Sequence, residues 1–217
     1  MARPEWSAMR FKNPPVPEHF LLEVASLPRP ARLDELLGGP GPFELEIGSG
    51  KGTFLVAEAQ ARPDVRFLGI EYMKKYAAYA ADRLRRAGLE NARAIGHDAV
   101  EILREVIPAG SLQAVHVYFP DPWPKARHHK RRIVRADVLR EFERVVEPGG
   151  TIRIVTDHPE YAEWIEDVLQ TSEFPRIDYT PPLSAGEGEL VGTNFERKYI
   201  VRDGRPFFPF CLRKPAA

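Results

Sequence analysis

The sequence has 217 residues, which suits one α/β domain with short appendages, and it balances 31 Lys and Arg residues against 31 Asp and Glu residues. A net charge of zero excludes a global basic field, so any affinity for nucleic acid must come from a local patch. The single cysteine, Cys211, excludes a disulfide framework and a cysteine-based zinc site, and it favours the reducing cytoplasm. We also expect neither a signal peptide nor a membrane span, because no continuous apolar h-region follows the N-terminal charges and no run of about 18 apolar residues occurs.

Two regions differ in pattern. Residues 1–40 are rich in proline and are predicted to form an N-terminal arm, either flexible or in contact with RNA, with a short helix around residues 33–37. From residue 41 to residue 217, strands and helices are predicted to alternate, as a single domain. The predicted strands are 43–47, 66–71, 92–96, 114–119 (within the segment 111–119) and 151–156, and the predicted helices end near residues 62, 87, 107, 145 and 169.

This alternation predicts a Rossmann-like α/β fold, in which a mostly parallel central sheet is covered by helices on both faces. After the last helix, residues 195–201 and 207–212 read as C-terminal edge strands. Ligands of such sheets bind outside the carboxyl ends of the strands, at the point where the strand order reverses.

Acidic residues mark four of these strand ends: Glu46, Glu71, Asp98 and Asp121. The segment after the first of them is a glycine turn, in which Gly48, Gly50 and Gly52 let a ligand approach the backbone. Glu71 lies about 20 residues past the turn, where a carboxylate can accept both ribose hydroxyls. Asp98 could accept from an adenine amino group.

The glycine spacing is G-x-G-x-G, which is shorter than the dinucleotide fingerprint and favours S-adenosylmethionine over NAD. Such a run alone is also compatible with a plain tight turn, but the carboxylates in register favour a cofactor. Lys51 does not complete a P-loop, because the required spacing is absent.

The loop after the fourth strand carries the most specific pattern, Pro120-Asp121-Pro122-Trp123-Pro124-Lys125-Ala126-Arg127-His128-His129-Lys130-Arg131-Arg132. The two prolines restrict the backbone around Asp121, and Trp123 offers a stacking face for a base unless it is a core residue. The five Lys and Arg residues from Lys125 to Arg132 could neutralise phosphates. The adjacent His128 and His129 are not expected to bind metal, since no further ligands complete a site.

This loop resembles the signature of the bacterial tRNA (guanine-N7-)-methyltransferases. Three further segments are similar to motifs of that family, in the same order along residues 43–200: Leu45-Glu46-Ile47-Gly48-Ser49-Gly50-Lys51-Gly52, Thr156-Asp157 with Tyr161 and Trp164, and Thr193-Asn194-Phe195-Glu196-Arg197-Lys198. The glycine motif occurs in many methyltransferases, whereas the proline-bracketed loop and the T-x-F-E segment are specific.

The resemblance implies a class I methyltransferase fold and transfer of a methyl group from S-adenosylmethionine to N7 of a guanosine in tRNA, in the variable loop at tRNA position 46. It implies that Asp121 is catalytic and that the cofactor contacts Glu46, Gly48, Gly50, Glu71, Asp98 and Asp121. It further implies substrate contacts at Lys125, Asp157, Thr193, Asn194, Phe195 and Glu196, and RNA contacts at Arg127, His128, His129, Lys130, Arg131 and Arg132. No metal is implied, and the chain could act as a monomer or a homodimer.

Simpler roles stay open for two of these residues. Asp157 could form a capping box with Glu160 at the start of a helix, with or without a contact to substrate. Glu196 could pair with Arg197 or Lys198 on the surface.

Two other functions also remain open. A methyltransferase acting on an exocyclic amine would carry a similar acidic motif after the fourth strand, although usually with adjacent prolines, and here Trp123 separates Pro122 from Pro124. A non-catalytic RNA-binding module could retain the fold, although it would not need the carboxylate set.

Overall fold

One seven-stranded sheet organises the chain. The computed structural model describes residues 17–216, with the backbone alone for residues 200–203. The strands are β1 (Leu21–Leu22), β2 (Phe43–Ile47), β3 (Arg66–Glu71), β4 (Ala92–Gly96), β5 (Leu112–Tyr118), β6 (Val146–Thr156) and β7 (Phe208–Arg213). Their order is β1-β4-β3-β2-β5-β6-β7, and every neighbouring pair is parallel except β6 and β7.

Helices cover both faces of this sheet, as the alternating pattern predicts. They are α1 (Leu33–Leu36), α2 (Thr53–Ala61), α3 (Lys74–Ala87), α4 (Ala99–Glu105), α5 (Ala136–Val145), α6 (Pro159–Leu169) and α7 (Asn194–Asp203). Successive residues of one strand serve opposite faces, because side chains alternate across a strand. Phe67 packs in the cluster under α2 and α3, whereas Leu68 belongs to the larger core that includes residues of α4, α5 and α6.

The strand order reverses between β2 and β5. From β2 the chain proceeds outward through β3 to β4, and β5 then returns to the other side of β2 and leads to β6. The loops that follow these two central strands therefore separate toward opposite faces. The gap between them is the place where an open α/β sheet can admit a ligand.

The C-terminal region corrects one prediction. Residues 195–201 are not an edge strand but most of helix α7, so that within residues 17–216 the C-terminal edge of the sheet is β7 alone. The Thr193 hydroxyl accepts a hydrogen bond from the backbone N–H of Glu196 at 3.1 Å, which is a helix-capping contact. Such a cap favours the helix, although the run Tyr199-Ile200-Val201 that follows consists of residue types common in strands.

The region that the sequence sets apart as an arm is described from Pro17 onward, and residues 1–16 of that arm lie outside the described residues. From there it joins the domain, since Phe20 is buried and β1 pairs with β4. The predicted short helix is α1, whose Leu33 is part of the main core. In the part of the chain that the structure describes, no helix is long and apolar enough to cross a membrane.

Candidate active site

A cavity of about 850 Å³ opens at the carboxyl ends of β2, β3, β4 and β5. It brings together three of the four acidic residues that the sequence singles out, Glu71, Asp98 and Asp121. Its other lining residues are mostly apolar, aromatic or basic: Ile47, Gly48, Ile70, Tyr72, Ala99, Val100, Tyr118, Phe119, Pro120, Trp123, Lys130, Arg131, Ile133 and Arg135. A volume of this size is within the range of ordinary ligand sites.

Two backbone N–H groups fix the carboxylate of Glu71, which lines the cavity. One carboxylate oxygen accepts from the N–H of Gly50 at 2.9 Å, and the other accepts from the N–H of Met73 at 2.8 Å. Each oxygen keeps a further lone pair, because a carboxylate can accept about four hydrogen bonds. Glu71 can therefore hold the glycine turn in place and still accept the two hydroxyls of a ribose.

The glycine turn leaves open space on its cavity side. Gly48 has a φ of 77°, and a Cβ added there would meet no heavy atom within 4 Å. Gly52 is required for packing, because a Cβ there would lie only 2.8 Å from the Cβ of Ala80 in α3. The first glycine thus leaves room for a ligand, and the third allows α2 and α3 to pack closely.

Asp98 lies at the start of α4, where its carboxylate accepts from the backbone N–H of Val100 at 2.8 Å. The same side chain is exposed and lines the cavity. Its capping bond fixes the direction of the carboxylate at the end of β4.

Glu46 is buried and, unlike the other three carboxylates, is not among the residues that line the cavity. It is 6% exposed, and one carboxylate oxygen has no hydrogen-bond partner among the described residues. Burial, together with the nearby charge of Glu71, raises the pKa of Glu46 to about 8, although the N–H of Leu55 opposes the shift. The unpartnered oxygen beside the glycine turn is a buried acceptor for a cationic or hydrogen-bond-donating group.

The backbone after β5 adopts unusual conformations at two residues. Phe119 has a φ of 50° and Trp123 a φ of 42°, although neither residue is glycine. Such left-handed residues are uncommon and often occur at functional sites. Between them lies Asp121, exposed and on the cavity wall.

Most of the basic run forms a 3-10 helix over Ala126–Arg131, which we call the loop helix. Arg131 lies 4.9 Å from the ring of Trp123, and His128 meets the same ring edge-on at 5.8 Å. Trp123 is thus half-buried against the loop helix while it also lines the cavity. Lys125, Arg127 and Lys130 are exposed.

Arg132 does not fit its predicted contact with RNA, because its side chain is 1% exposed. It donates to the carbonyl oxygen of Pro122 and to Glu160, and its guanidinium lies over the rings of Tyr161 and Trp164 at 4.9 Å and 4.8 Å. Arg132 therefore joins the loop to α6 and is inaccessible to a phosphate. His129 is also turned inward, against Trp164 at 5.3 Å.

Glu196, which the resemblance places at the substrate, is fully buried. Its carboxylate accepts from three successive backbone N–H groups, those of Leu190, Val191 and Gly192. It does not pair with Arg197, which bonds Glu189 instead. Glu196 therefore orders the segment before α7. Its neighbour Phe195 is 38% exposed and packs against Phe119, with ring centres 4.8 Å apart.

Asp157 lies at the end of β6, next to the C-terminal segment. Its carboxylate pairs with Arg205 at 2.8 Å, and the helix cap that the sequence allows for it is supplied by His158. Thr193 caps α7, as described above, and Asn194 is exposed. These residues and Lys125 do not line the cavity itself, but Phe195 connects their segment to the cavity wall through Phe119.

Several cavity residues carry no motif that identifies them in the sequence. Tyr72 is 72% exposed and directly follows Glu71, while Arg135, like Ile133, lines the cavity. The adjacency of Tyr72 to a strand-end carboxylate is a signal that could have indicated it; Arg135 offers none. Among the described residues, no group of His, Cys, Asp and Glu is arranged to hold a metal ion.

Known relatives align with most of the chain. The model of a family described as "Putative methyltransferase" matches residues 40–208. A tRNA (guanine-N(7)-)-methyltransferase from Alkalilimnicola ehrlichii is 38% identical over 197 residues, which are 90% of this chain and 82% of the relative. One with the same name from Rhodopirellula baltica is 35% identical and covers 96% of this chain and 79% of its own length.

Solved structures share the fold. The 16S rRNA methyltransferase KamB superposes with a TM-score of 0.61 over 84% of this chain and 92% of its own, at 16% identity. A SAM-dependent methyltransferase from Aquifex aeolicus superposes with a TM-score of 0.56 over 80% of this chain and 82% of its own, at 14% identity. These likenesses agree with the Rossmann-like class I architecture predicted from the alternating strands and helices.

Proposed function

This chain belongs to the tRNA (guanine-N(7)-)-methyltransferase family, and we propose that it transfers the methyl group of S-adenosylmethionine to N7 of a guanosine in the variable loop of tRNA. The observation that carries the proposal is the cavity at the strand ends, in which Glu71, Asp98 and Asp121 face one space beside an exposed basic helix.

The carboxylates and the glycine turn fit the parts of the cofactor. Glu71 is held by two backbone N–H groups in a position to accept the ribose hydroxyls, and Asp98 offers an acceptor for the adenine amino group. The open side of Gly48 leaves room for the ligand next to the backbone. Glu46 offers a buried acceptor for the ammonium group of the cofactor's amino-acid part.

Methyl transfer to guanine N7 does not require the protein to accept or donate a proton. Bound S-adenosylmethionine supplies an activated methyl group on a positively charged sulfur. Guanine N7 carries an in-plane lone pair and no proton, so its attack needs no general base. The side chains must instead align the two reactants and exclude water, which can supply up to roughly 7–11 kcal/mol of the barrier reduction.

Asp121 is the residue best placed for a role in this step. Positive charge moves from sulfur to the purine during the transfer, and a carboxylate beside the purine stabilises that change. Asp121 can also accept from N1–H or the exocyclic amine of guanine, which would select guanine over adenine. Its position between two prolines, on the wall of the cavity, restricts the direction of its carboxylate.

The surface around the cavity suits RNA. Lys125, Arg127 and Lys130 project from the loop helix or its start, and Arg131 lies over Trp123 at the cavity wall. On the other side, the partly exposed Phe195 against Phe119 gives an apolar wall for a purine. A variable-loop guanosine could enter between these two surfaces, with its flanking phosphates on the loop helix.

The proposal is tested by incubating the chain with methyl-labelled S-adenosylmethionine and unmodified tRNA, followed by nucleoside analysis. We expect label in 7-methylguanosine, and its loss when the variable-loop guanosine is replaced by adenosine. Label in an N-methylated exocyclic amine would favour the other class of methyltransferase. Binding of tRNA without any transfer, and without binding of the cofactor, would indicate an RNA-binding module.

A further inference from the structure

Helix α3 concentrates positive charge in a chain whose net charge is zero. Its sequence contains Lys74, Lys75, Arg83, Arg85 and Arg86 against a single acidic residue, Asp82. Asp82 is buried and pairs with Arg85 and Arg86 at the carboxyl end of the helix. The two lysines at the start of the helix are therefore left without a neutralising partner on their own helix.

Lys51, in the glycine turn, extends this charge toward the cavity. Within the described residues, Lys51, Lys74 and Lys75 are exposed and form no salt bridge with a carboxylate. The ammonium groups of Lys51 and Lys75 both lie over the ring of Tyr76, at 5.8 Å and 4.9 Å. Arg83 donates to the carbonyl oxygen of Lys51 at 2.9 Å, which joins the glycine turn to α3 and keeps their positive charges adjacent.

Two large apolar side chains stand exposed beside these lysines. Tyr72 is 72% exposed and Met73 is 46% exposed, whereas large hydrophobic residues elsewhere in the described chain are mostly buried. Exposed apolar groups next to unpaired cations are typical of a binding surface. Tyr72 also lines the cavity, so this surface continues directly from the candidate active site.

We infer that Lys51, Tyr72, Met73, Lys74 and Lys75 form a second contact surface for tRNA, across the cavity from the loop helix. The lysines would meet backbone phosphates, and Tyr72 and Met73 would pack against a sugar or base. This inference rests on the proposed function, because the cavity between the two basic surfaces is where the guanosine enters. A polyanion such as tRNA can reach both sides of the cavity and neutralise both the three lysines and the basic residues of the loop helix. A compact acidic ligand inside the cavity could not reach both sets.

The test replaces both lysines of α3 in the full chain, as Lys74→Gln/Lys75→Gln. Glutamine keeps the Cβ and Cγ of Lys74, which lie near Gly96, so the fold should be preserved, and a thermal melt checks this. The matched control is Arg140→Gln/Arg213→Gln, which removes two exposed charges that lie outside the cavity lining and form no salt bridge with any described residue. Binding of unmodified tRNA is measured by fluorescence anisotropy over a series of salt concentrations, and binding of S-adenosylmethionine by calorimetry.

We expect the lysine variant to bind tRNA about tenfold more weakly, and its salt slope to fall by about 0.7–0.9 for each phosphate that it no longer neutralises. The control and the variant Lys74→Arg/Lys75→Arg should keep the wild-type slope, and cofactor affinity should not change. A wild-type slope in the glutamine variant, or an equal reduction in the control or the arginine variant, would overturn the inference while leaving the proposed function intact. Failure of the wild-type chain to bind tRNA would overturn both.

Discussion

Arg132 donates from its Nε to the carbonyl oxygen of Pro122 across 2.8 Å, and this bond ties the end of the basic run to the residue that follows Asp121. The guanidinium is held from the opposite side by α6, where it pairs with Glu160 and lies over two aromatic rings. The conformation of the Asp121 loop therefore depends on α6, although that helix contributes no residue to the cavity lining.

Replacing Arg132 by Ala should act on stability and catalysis and leave the salt dependence of RNA binding unchanged. The variant loses hydrogen bonds that involve a charged group, each contributing about 1.5–3 kcal/mol, and the Pro122 carbonyl loses its partner. For a chain of this size, each kcal/mol of destabilisation lowers the melting temperature by about 2–4 °C. We expect lower single-turnover methylation at full tRNA occupancy. A lowered salt slope with an unchanged melting temperature would instead mean that Arg132 reaches the RNA.

Lys125 and Arg127 should show the opposite behaviour, because both are exposed and neither lines the cavity. In Lys125→Gln/Arg127→Gln, the salt slope of tRNA binding should fall by about 0.7–0.9 for each phosphate left without its cation. Melting temperature and cofactor affinity should stay at wild-type values. Lys130 and Arg131 are less suitable for this test, since they line the cavity and can affect the cofactor as well. A normal slope in the double variant would show that these two charges are only solvated.

Glu46 should make cofactor binding depend on pH. Its pKa is raised to about 8 by burial and by Glu71, so the carboxyl is largely protonated at neutral pH. A cationic group of the cofactor next to it would favour the ionised form, and binding would then release a proton. Affinity for S-adenosylmethionine should therefore rise with pH toward about 8, by at most tenfold for each pH unit. Calorimetry in buffers of different ionisation enthalpy measures how many protons are released when the cofactor binds.

The variant Glu46→Gln isolates this effect, because it removes the titrating group and keeps the shape. We expect the variant to bind S-adenosylmethionine more weakly and to release no proton from residue 46. The pH dependence of cofactor affinity should then differ between wild type and variant by the contribution of Glu46 alone. The same shift has a stability consequence of known sign. A folded-state pKa above the ordinary value of 4.5 disfavours the folded state as pH rises from 4.5 through about 8, so the variant should gain stability relative to wild type over that range. Identical proton release in both proteins would place the cofactor away from Glu46.

The strands and the acidic strand ends could be predicted because they depend on local pattern. Phe43–Ile47, Arg66–Glu71 and Ala92–Gly96 occur at the predicted residues, and the carboxyl ends of parallel strands necessarily share one edge of the sheet. The fold class followed from the same alternation. Arg132 and Glu46 could not be understood in this way, since one is buried by α6 and the other by α2 and the neighbouring strands.

Helix α7 shows the same limit for secondary structure. The run Tyr199-Ile200-Val201 consists of residue types common in strands, whereas Phe195 and Tyr199 have the i, i+4 spacing of a helix, so the local sequence does not decide between the two. The helix is favoured by the Thr193 cap and by the three N–H groups that Glu196 gathers from residues 190–192. Those hydrogen bonds exist only after the segment has folded back onto itself, so a prediction from spacing alone could not include them.

Asp121 provides the sharpest test of the proposed chemistry. In Asp121→Asn, the side chain keeps its shape and one acceptor oxygen but loses its charge, so single-turnover methylation should fall by about 10²–10³-fold, the scale of removing one preorganised electrostatic interaction. Binding of tRNA should survive, which anisotropy can confirm, and Asp121→Ala should be slower still because guanine also loses its hydrogen-bond acceptor. Since N7 carries no proton, the rate should not require a general base at this position. Near-wild-type single-turnover rates in both variants would exclude Asp121 from the transfer. The next candidate would be Asp157, which directly follows β6 and whose carboxylate pairs with Arg205.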